Sequence, residues 1–136
     1  MTIIHEKFSI TSKGKNDIID ITLKVKEFIR NLDITDAILN VYVNSSNISI
    51  ITTDDNFIIK TNYIDLINST ISSKNEYDKL QYNPILEANL KTEILGRNIN
   101  IPIINKEIQI SEYQKIVLID FGENISVSDV IISVIN

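Results

Sequence analysis

Few side chains in this 136-residue chain have types that do chemistry, and their spacing rarely joins them. His5 is the single histidine. An imidazole exchanges protons near neutral pH, but it needs partners to work as a base or a metal ligand. On an early strand, with no second histidine, His5 is expected to be structural or exposed. Asp54 and Asp55 form an adjacent carboxylate pair of the kind that could share acid–base work, although capping of a following helix accounts for both. Arg30 and Arg97 are the only side chains able to grip a phosphate with a bidentate fork. Cysteine is absent, which removes disulfides, thiolate metal ligands and a thiol nucleophile. Glycine is confined to Gly14, Gly96 and Gly122, too sparse for a glycine-rich phosphate loop.

The elements that must position these residues read as follows. Ile4, Phe8 and Ile10 alternate with His5, Lys7, Ser9 and Thr11, which predicts a strand, and Lys13-Gly14-Lys15-Asn16 a turn. From Asp20 to Arg30 the period changes, and Ile21, Val25, Phe28 and Ile29 make one helical stripe with Asp20 or Thr22 near the start as a cap. Ala37 to Val43 and Ile48 to Ile51 read as strands joined by the turn formers Asn44-Ser45-Ser46-Asn47. Asp54-Asp55-Asn56 can cap a second helix reaching about Ser69, its acids opposing the positive end of the dipole. Ser72 to Asn83 is polar and reads as a loop. A third helix is expected from about Ile85 to Leu95, with Leu86, Leu90 and Ile94 inward and Gly96 ending it. Asn98 to Ile104, Glu107 to Ile110, Tyr113 to Asp120 and Ile125 to Ile135 read as strands. Strands, helices and strands in blocks predict a single α+β domain over residues 1–136 with a mainly antiparallel sheet.

Charge and hydropathy bound the partners. A net charge of −5 argues against nucleic acid, whose binding needs a basic face to displace counterions. No apolar run approaches the roughly 20 residues of a membrane span. The opening residues carry no basic leader followed by an apolar run, so a cytoplasmic location is expected, and the sequons Asn44-Ser45-Ser46 and Asn47-Ile48-Ser49 are expected to stay unmodified. Ile-rich alternating strands leave apolar surface that a monomer of this size would struggle to cover, which predicts association.

Several segments, in order, resemble the YjbQ family, described as secondary thiamine-phosphate synthases. Thr11-Ser12-Lys13-Gly14 and Ile19-Asp20-Ile21-Thr22 are similar to the family's opening turn and helix start. Val41 to Ile51 falls where the family has H-T-[ST]-A-S-L, and Tyr77-Asp78-Lys79 resembles its Y-x-H segment. Glu87-Ala88-Asn89-Leu90 with Ile94-Leu95-Gly96 is similar to N-A-x-A-H-L…L-L-G. Ile101-Pro102-Ile103, Ile108 and Tyr113-Gln114-Lys115-Ile116 resemble I-P-V…L…G-x-W-Q-x-I.

The resemblance implies a sheet curled into a barrel-like layer around a helix, a homotrimer, and a site of histidines at the subunit boundary. Here those histidines are missing. By spacing, they fall at about Val43, at Lys79 and at Asn89; family acids fall near Thr52 and Thr61, the tryptophan at Tyr113 and a glycine at Ser111. Valine cannot ligate or move a proton, asparagine offers a neutral amide, and a protonated lysine repels a cation. We therefore expect no catalytic residue, no metal and no cofactor. A residual pocket of Lys79, Asn89, Tyr77 and Gln114 could hold a small anionic ligand. The expected function is a non-catalytic YjbQ-like protein with a binding or structural role. The alternatives are a thiamine-phosphate synthase-like enzyme with a rebuilt site, or a partner subunit of an active relative.

Overall fold

The computed structural model describes residues 1–71 and 84–136. Alternation at the start of the chain forms β1 (Ile3–Ser12), with Ile10 and Ser12 buried. Gly14, Lys15 and Asn16 all adopt positive φ (74°, 55° and 67°) and turn the chain into β2 (Asp17–Asp20). The sequence reading missed β2. Its two isoleucines are too few to show a period, and it becomes a strand by pairing with β7, Ile18 opposite Ile119 and Ile19 opposite Leu118.

Helix α1 (Thr22–Arg30) follows. The Asp20 carboxylate accepts the Thr22 N–H at 2.9 Å, which helps start the helix. Ile21, Val25 and Ile29 are buried along the expected stripe. Strands β3 (Ala37–Asn44) and β4 (Ile48–Asp54) lie on either side of the Asn44–Asn47 turn but belong to different sheets. That turn is thus a crossing between layers and not a hairpin. Helices α2 (Phe57–Thr70) and α3 (Pro84–Leu95) precede β5 (Asn98–Ile104), β6 (Glu107–Ile108), β7 (Gln114–Asp120) and β8 (Ser126–Ile135). The expected loop over Ser72–Asn83 lies outside the described residues.

Every strand pairing among the described residues is antiparallel. One sheet has the order β1-β8-β3-β5-β6 and the other β2-β7-β4. The five-stranded sheet curls as a half-barrel against α1, as the α+β reading expected. Val25, Leu39, Val41, Val43, Ile116, Val130 and Ile132 meet in this main core with no more than trace exposure. Ile119 and Phe121, on β7 and just past its end, pack instead with Ile51, Tyr63, Ile67 and Ala88, forming a second core under α2 and α3. The three-stranded sheet is thus the middle layer.

The inward face of α3 differs from the expected one. Ala88, Lys91 and Thr92 are buried, while Leu86 and Ile94 are 47% and 66% exposed. The helix backbone lies close on β4: the Thr92 carbonyl accepts from Ser49 Oγ at 3.5 Å and the Gly96 carbonyl accepts the Ile50 N–H at 3.3 Å. Ala88 and Thr92 are small enough to permit that approach, so Leu86 and Ile94 face outward while Leu90 is half-buried. Gly96 ends α3 at φ 94°, as the sequence predicts.

Candidate functional site

The left-handed Gly14–Asn16 turn is held against the chain that follows β7. The Lys15 N–H donates to the Gly122 carbonyl at 2.6 Å and the Asn16 N–H to the Asp120 carbonyl at 2.7 Å. Gly14 must be glycine at this crossing: a Cβ there would sit 2.8 Å from the Gly122 oxygen and 2.9 Å from the Asn124 oxygen. Below it, the buried Asp120 carboxylate accepts from the Ser12 hydroxyl, from the Gly122 N–H at 2.8 Å and, more weakly, from Ser126 Oγ at 3.5 Å.

Across from these turns stand α2 and α3, and a cavity of about 380 Å³ lies between. Its anchor is Lys91, 8% exposed. The ammonium lies 2.7 Å from Asn68 Oδ1, 3.2 Å from Glu87 Oε1 and 5.5 Å from the centre of the Phe121 ring. Lys15, Asn16 and Glu123 complete the polar wall. A buried cation is tolerated when it is paired, hydrogen-bonded and placed over an aromatic face. The ammonium has three donors, so an acceptor entering the cavity can still be met. A smaller cleft of about 230 Å³ shares Pro84, Ala88, Gly122 and Glu123 with this cavity and runs on to Asn47 and Ile125.

Sequence reading missed Lys91. The signal was available in its i,i+4 spacing from Glu87 and in the small residues Ala88 and Thr92 flanking it, which mark the face of the helix that packs closely.

Of the positions that the resemblance assigns to the family histidines, the two described ones differ in burial. Val43 is fully buried on the inner face of β3, opposite Val130. Asn89 is half-buried on α3, and its Oδ1 is shielded from solvent without a hydrogen-bond partner. Lys79 and Tyr77 lie outside the described residues. Gln114 begins β7, where its Oε1 accepts the Ser111 N–H at 3.0 Å and closes the preceding turn. It pairs with Asp54, five residues along β4 from the Ser49 that backs α3, about 17 Å of strand away. Gln114 and Asn89 are therefore not brought together by these contacts.

The other candidates occupy structural roles. His5 is exposed on β1 with Nδ1 2.8 Å from Ser133 Oγ. Asp55 pairs with Lys60 at 2.9 Å. That hydrogen bond, then the charge of Lys60, holds the Asp55 carboxyl below its ordinary value. Burial pushes the Tyr63 hydroxyl up. Thr52, Thr61, Ser111 and Tyr113 are exposed. Among the described residues no three His, Cys, Asp or Glu side chains converge on a point where they could hold a metal. No described helix is long and apolar enough to cross a membrane.

A curled five-stranded sheet packed on one face of α1, a three-stranded middle sheet and an outer helix pair define a two-sheet α+β scaffold with a cleft under its outer helices. The chain belongs to the UPF0047 YjbQ-like family, whose pattern matches residues 6–136. It superposes on a YbjQ-like protein of unknown function from Sulfolobus solfataricus with a TM-score of 0.88 at 15% identity, covering 99% of this chain and 98% of the other. An uncharacterized conserved protein of the yjbq/upf0047 family from Clostridium acetobutylicum gives 0.82 at 18% identity, with 96% and 99% covered. A hypothetical protein from Aeropyrum pernix gives 0.74 at 18% identity, with 92% and 96% covered. At these identities the likeness establishes the fold alone. No curated protein matches this sequence.

Proposed function

We propose that this chain is a non-catalytic YjbQ-like protein, a homotrimeric binding scaffold that holds a small anion under α2 and α3. The observation that carries the reading is Val43. By spacing, the first family histidine falls at about this position, where an aliphatic side chain is sealed in the main core and presents no ligand or base to the cleft. Asn89 adds a neutral amide at a second such position, and Lys91 gives the cavity a buried cation. Association is supported by the outer face of the five-stranded sheet. Ile3, Ile135, Ile38 and Pro102 are cross-strand neighbours there, with Ile3 48% and Ile38 44% exposed. Such an apolar row is what an interface covers.

The test is a mass-spectrometric assay for thiamine phosphate formed from the pyrimidine diphosphate and thiazole phosphate, on protein whose mass in solution is measured in parallel. No product above a no-protein control, from a trimer, is the expected result. Turnover abolished by Lys79→Ala or Asn89→Ala would overturn the reading in favour of an enzyme with a rebuilt site. Turnover only after mixing with a histidine-bearing relative would make the chain a partner subunit.

A further inference from the structure

A second cleft, of about 490 Å³, lies apart from the one under α2 and α3. It lies on the other side of the middle sheet, between the last turns of α1, the β5–β6 turn and the segment leading to β7. Its floor is apolar: Ile29 is buried, and Ile108 and Ile110 are half-buried against the main core. Its rim is charged. Lys26 and Arg30 stand one helical turn apart on α1, and Lys106 faces them from the hairpin tip. None of these three cations has a hydrogen bond or ion pair from its side chain to a described residue. Glu107 and Glu112 also reach the cleft and form no ion pair with a described residue, so the local balance is one positive charge in a chain of net −5.

The hairpin places Lys106 at a conformational cost. Ile103 pairs with Ile108 and Ile104 with Glu107, so Asn105 and Lys106 form a two-residue turn, with φ of 52° and 69°. Asparagine suits the first of these positions, while the second favours glycine over a lysine. The turn is held in place from outside: the Asn105 N–H donates to Asp36 Oδ1 at 3.0 Å and the Lys106 N–H to the Thr35 carbonyl at 2.8 Å. A lysine kept in an unfavourable backbone state, anchored so that its stem borders an apolar floor, needs a reason other than turn chemistry.

We infer that this cleft binds a small amphipathic anion, a phosphate monoester or comparable acid with a short apolar body. Arg30 supplies the planar fork for the head group, Lys26 and Lys106 flank it, and the isoleucine floor takes the tail. The volume falls within the range of small-molecule pockets. Glu107 and Glu112 oppose an anion at close range, so neutralising either carboxylate should tighten its binding. The site is independent of the cavity anchored by Lys91, and its test does not depend on the trimer or on the family activity.

The experiment is a titration of the full chain, labelled at isoleucine methyls, with hexyl phosphate, and separately with hexylamine and inorganic phosphate. Expected is saturable binding of hexyl phosphate that moves the Ile29, Ile108 and Ile110 methyls, at least tenfold tighter than inorganic phosphate. Arg30→Ala should weaken it tenfold or more, and Glu107→Gln should tighten it severalfold. Both residues are exposed, so circular dichroism should show the fold intact in each variant. Equal binding of hexylamine, methyl shifts confined to residues under α2 and α3, or an unchanged affinity in both variants would each overturn the assignment. Inorganic phosphate binding as tightly as the ester would also overturn it, because the floor would then contribute nothing.

Discussion

The Ser12 hydroxyl donates to the Asp120 carboxylate across 108 residues of sequence, tying the end of β1 to the end of β7. Both side chains are buried. Ser12 Oγ in turn accepts the Gly14 N–H at 3.1 Å, and Asp120 Oδ1 accepts the Gly122 N–H at 2.8 Å. The pair therefore fixes both turns that wall the Lys91 cavity. No described cation stands beside Asp120, so hydrogen bonds alone compensate its burial.

Asp120→Ala should destabilise the protein by about 1–3 kcal/mol, since it strands a buried hydroxyl and a buried amide together. Urea unfolding of the variant against the parent measures this. A loss under a few tenths of a kcal/mol would mean that water replaces the carboxylate without penalty. Ser12→Ala should cost less, because Asp120 keeps its other donors.

Gly14→Ala should cost more than Gly96→Ala. Both glycines have positive φ, 74° and 94°, so each alanine pays roughly 1–2 kcal/mol for a left-handed backbone. At Gly96 nothing lies within 4 Å of the added Cβ, whereas at Gly14 two backbone oxygens lie within 3 Å. Thermal or urea melts of the two variants give the comparison directly, and equal losses would contradict the close crossing of the two turns.

Ile101→Ala, Ile103→Ala and Ile116→Ala should each destabilise by about 2–5 kcal/mol, because these side chains are 5%, 1% and 0% exposed in the main core. They also mark what the sequence makes legible. Strand β5 runs from Asn98 to Ile104 as its alternation predicts, and α1 buries the expected stripe, because each has one buried face long enough to set a period. The short strand β2 has no such length. The face of α3 was misread for a different reason: hydropathy ranks Leu86 and Ile94 above Ala88 and Thr92, yet close backbone approach selects for small size. At the site, the resemblance points to Asn89, while Lys91 stands at no position that the resemblance marks.

Stability should fall as the solution is made strongly alkaline, partly through Tyr63. Burial raises its hydroxyl above the ordinary value near 10, so the folded chain keeps that proton when the unfolded chain has released it. The unfolded state then binds fewer protons, and the free energy of unfolding decreases with pH above about 10. Tyr63→Phe should flatten that part of the pH–stability curve, as read by urea unfolding at stepped pH. A curve unchanged by the substitution would assign the alkaline loss to other groups.

Val43→His tests the placement on which the functional reading rests. If the aligned position were near a usable site, restoring the family residue would create a metal or proton-transfer group at little cost. The structure gives the opposite expectation. Val43 is fully buried, packs among Val41, Val130 and Ile132, and uses its own N–H on the Arg97 carbonyl at 2.8 Å. An imidazole there would bury ring nitrogens among aliphatic groups, which costs about 1–3 kcal/mol beyond any misfit of shape. The variant should therefore melt earlier than the parent and take up no zinc in equilibrium dialysis. A variant as stable as the parent that binds one zinc per chain would put residue 43 in the cleft and overturn the non-catalytic reading.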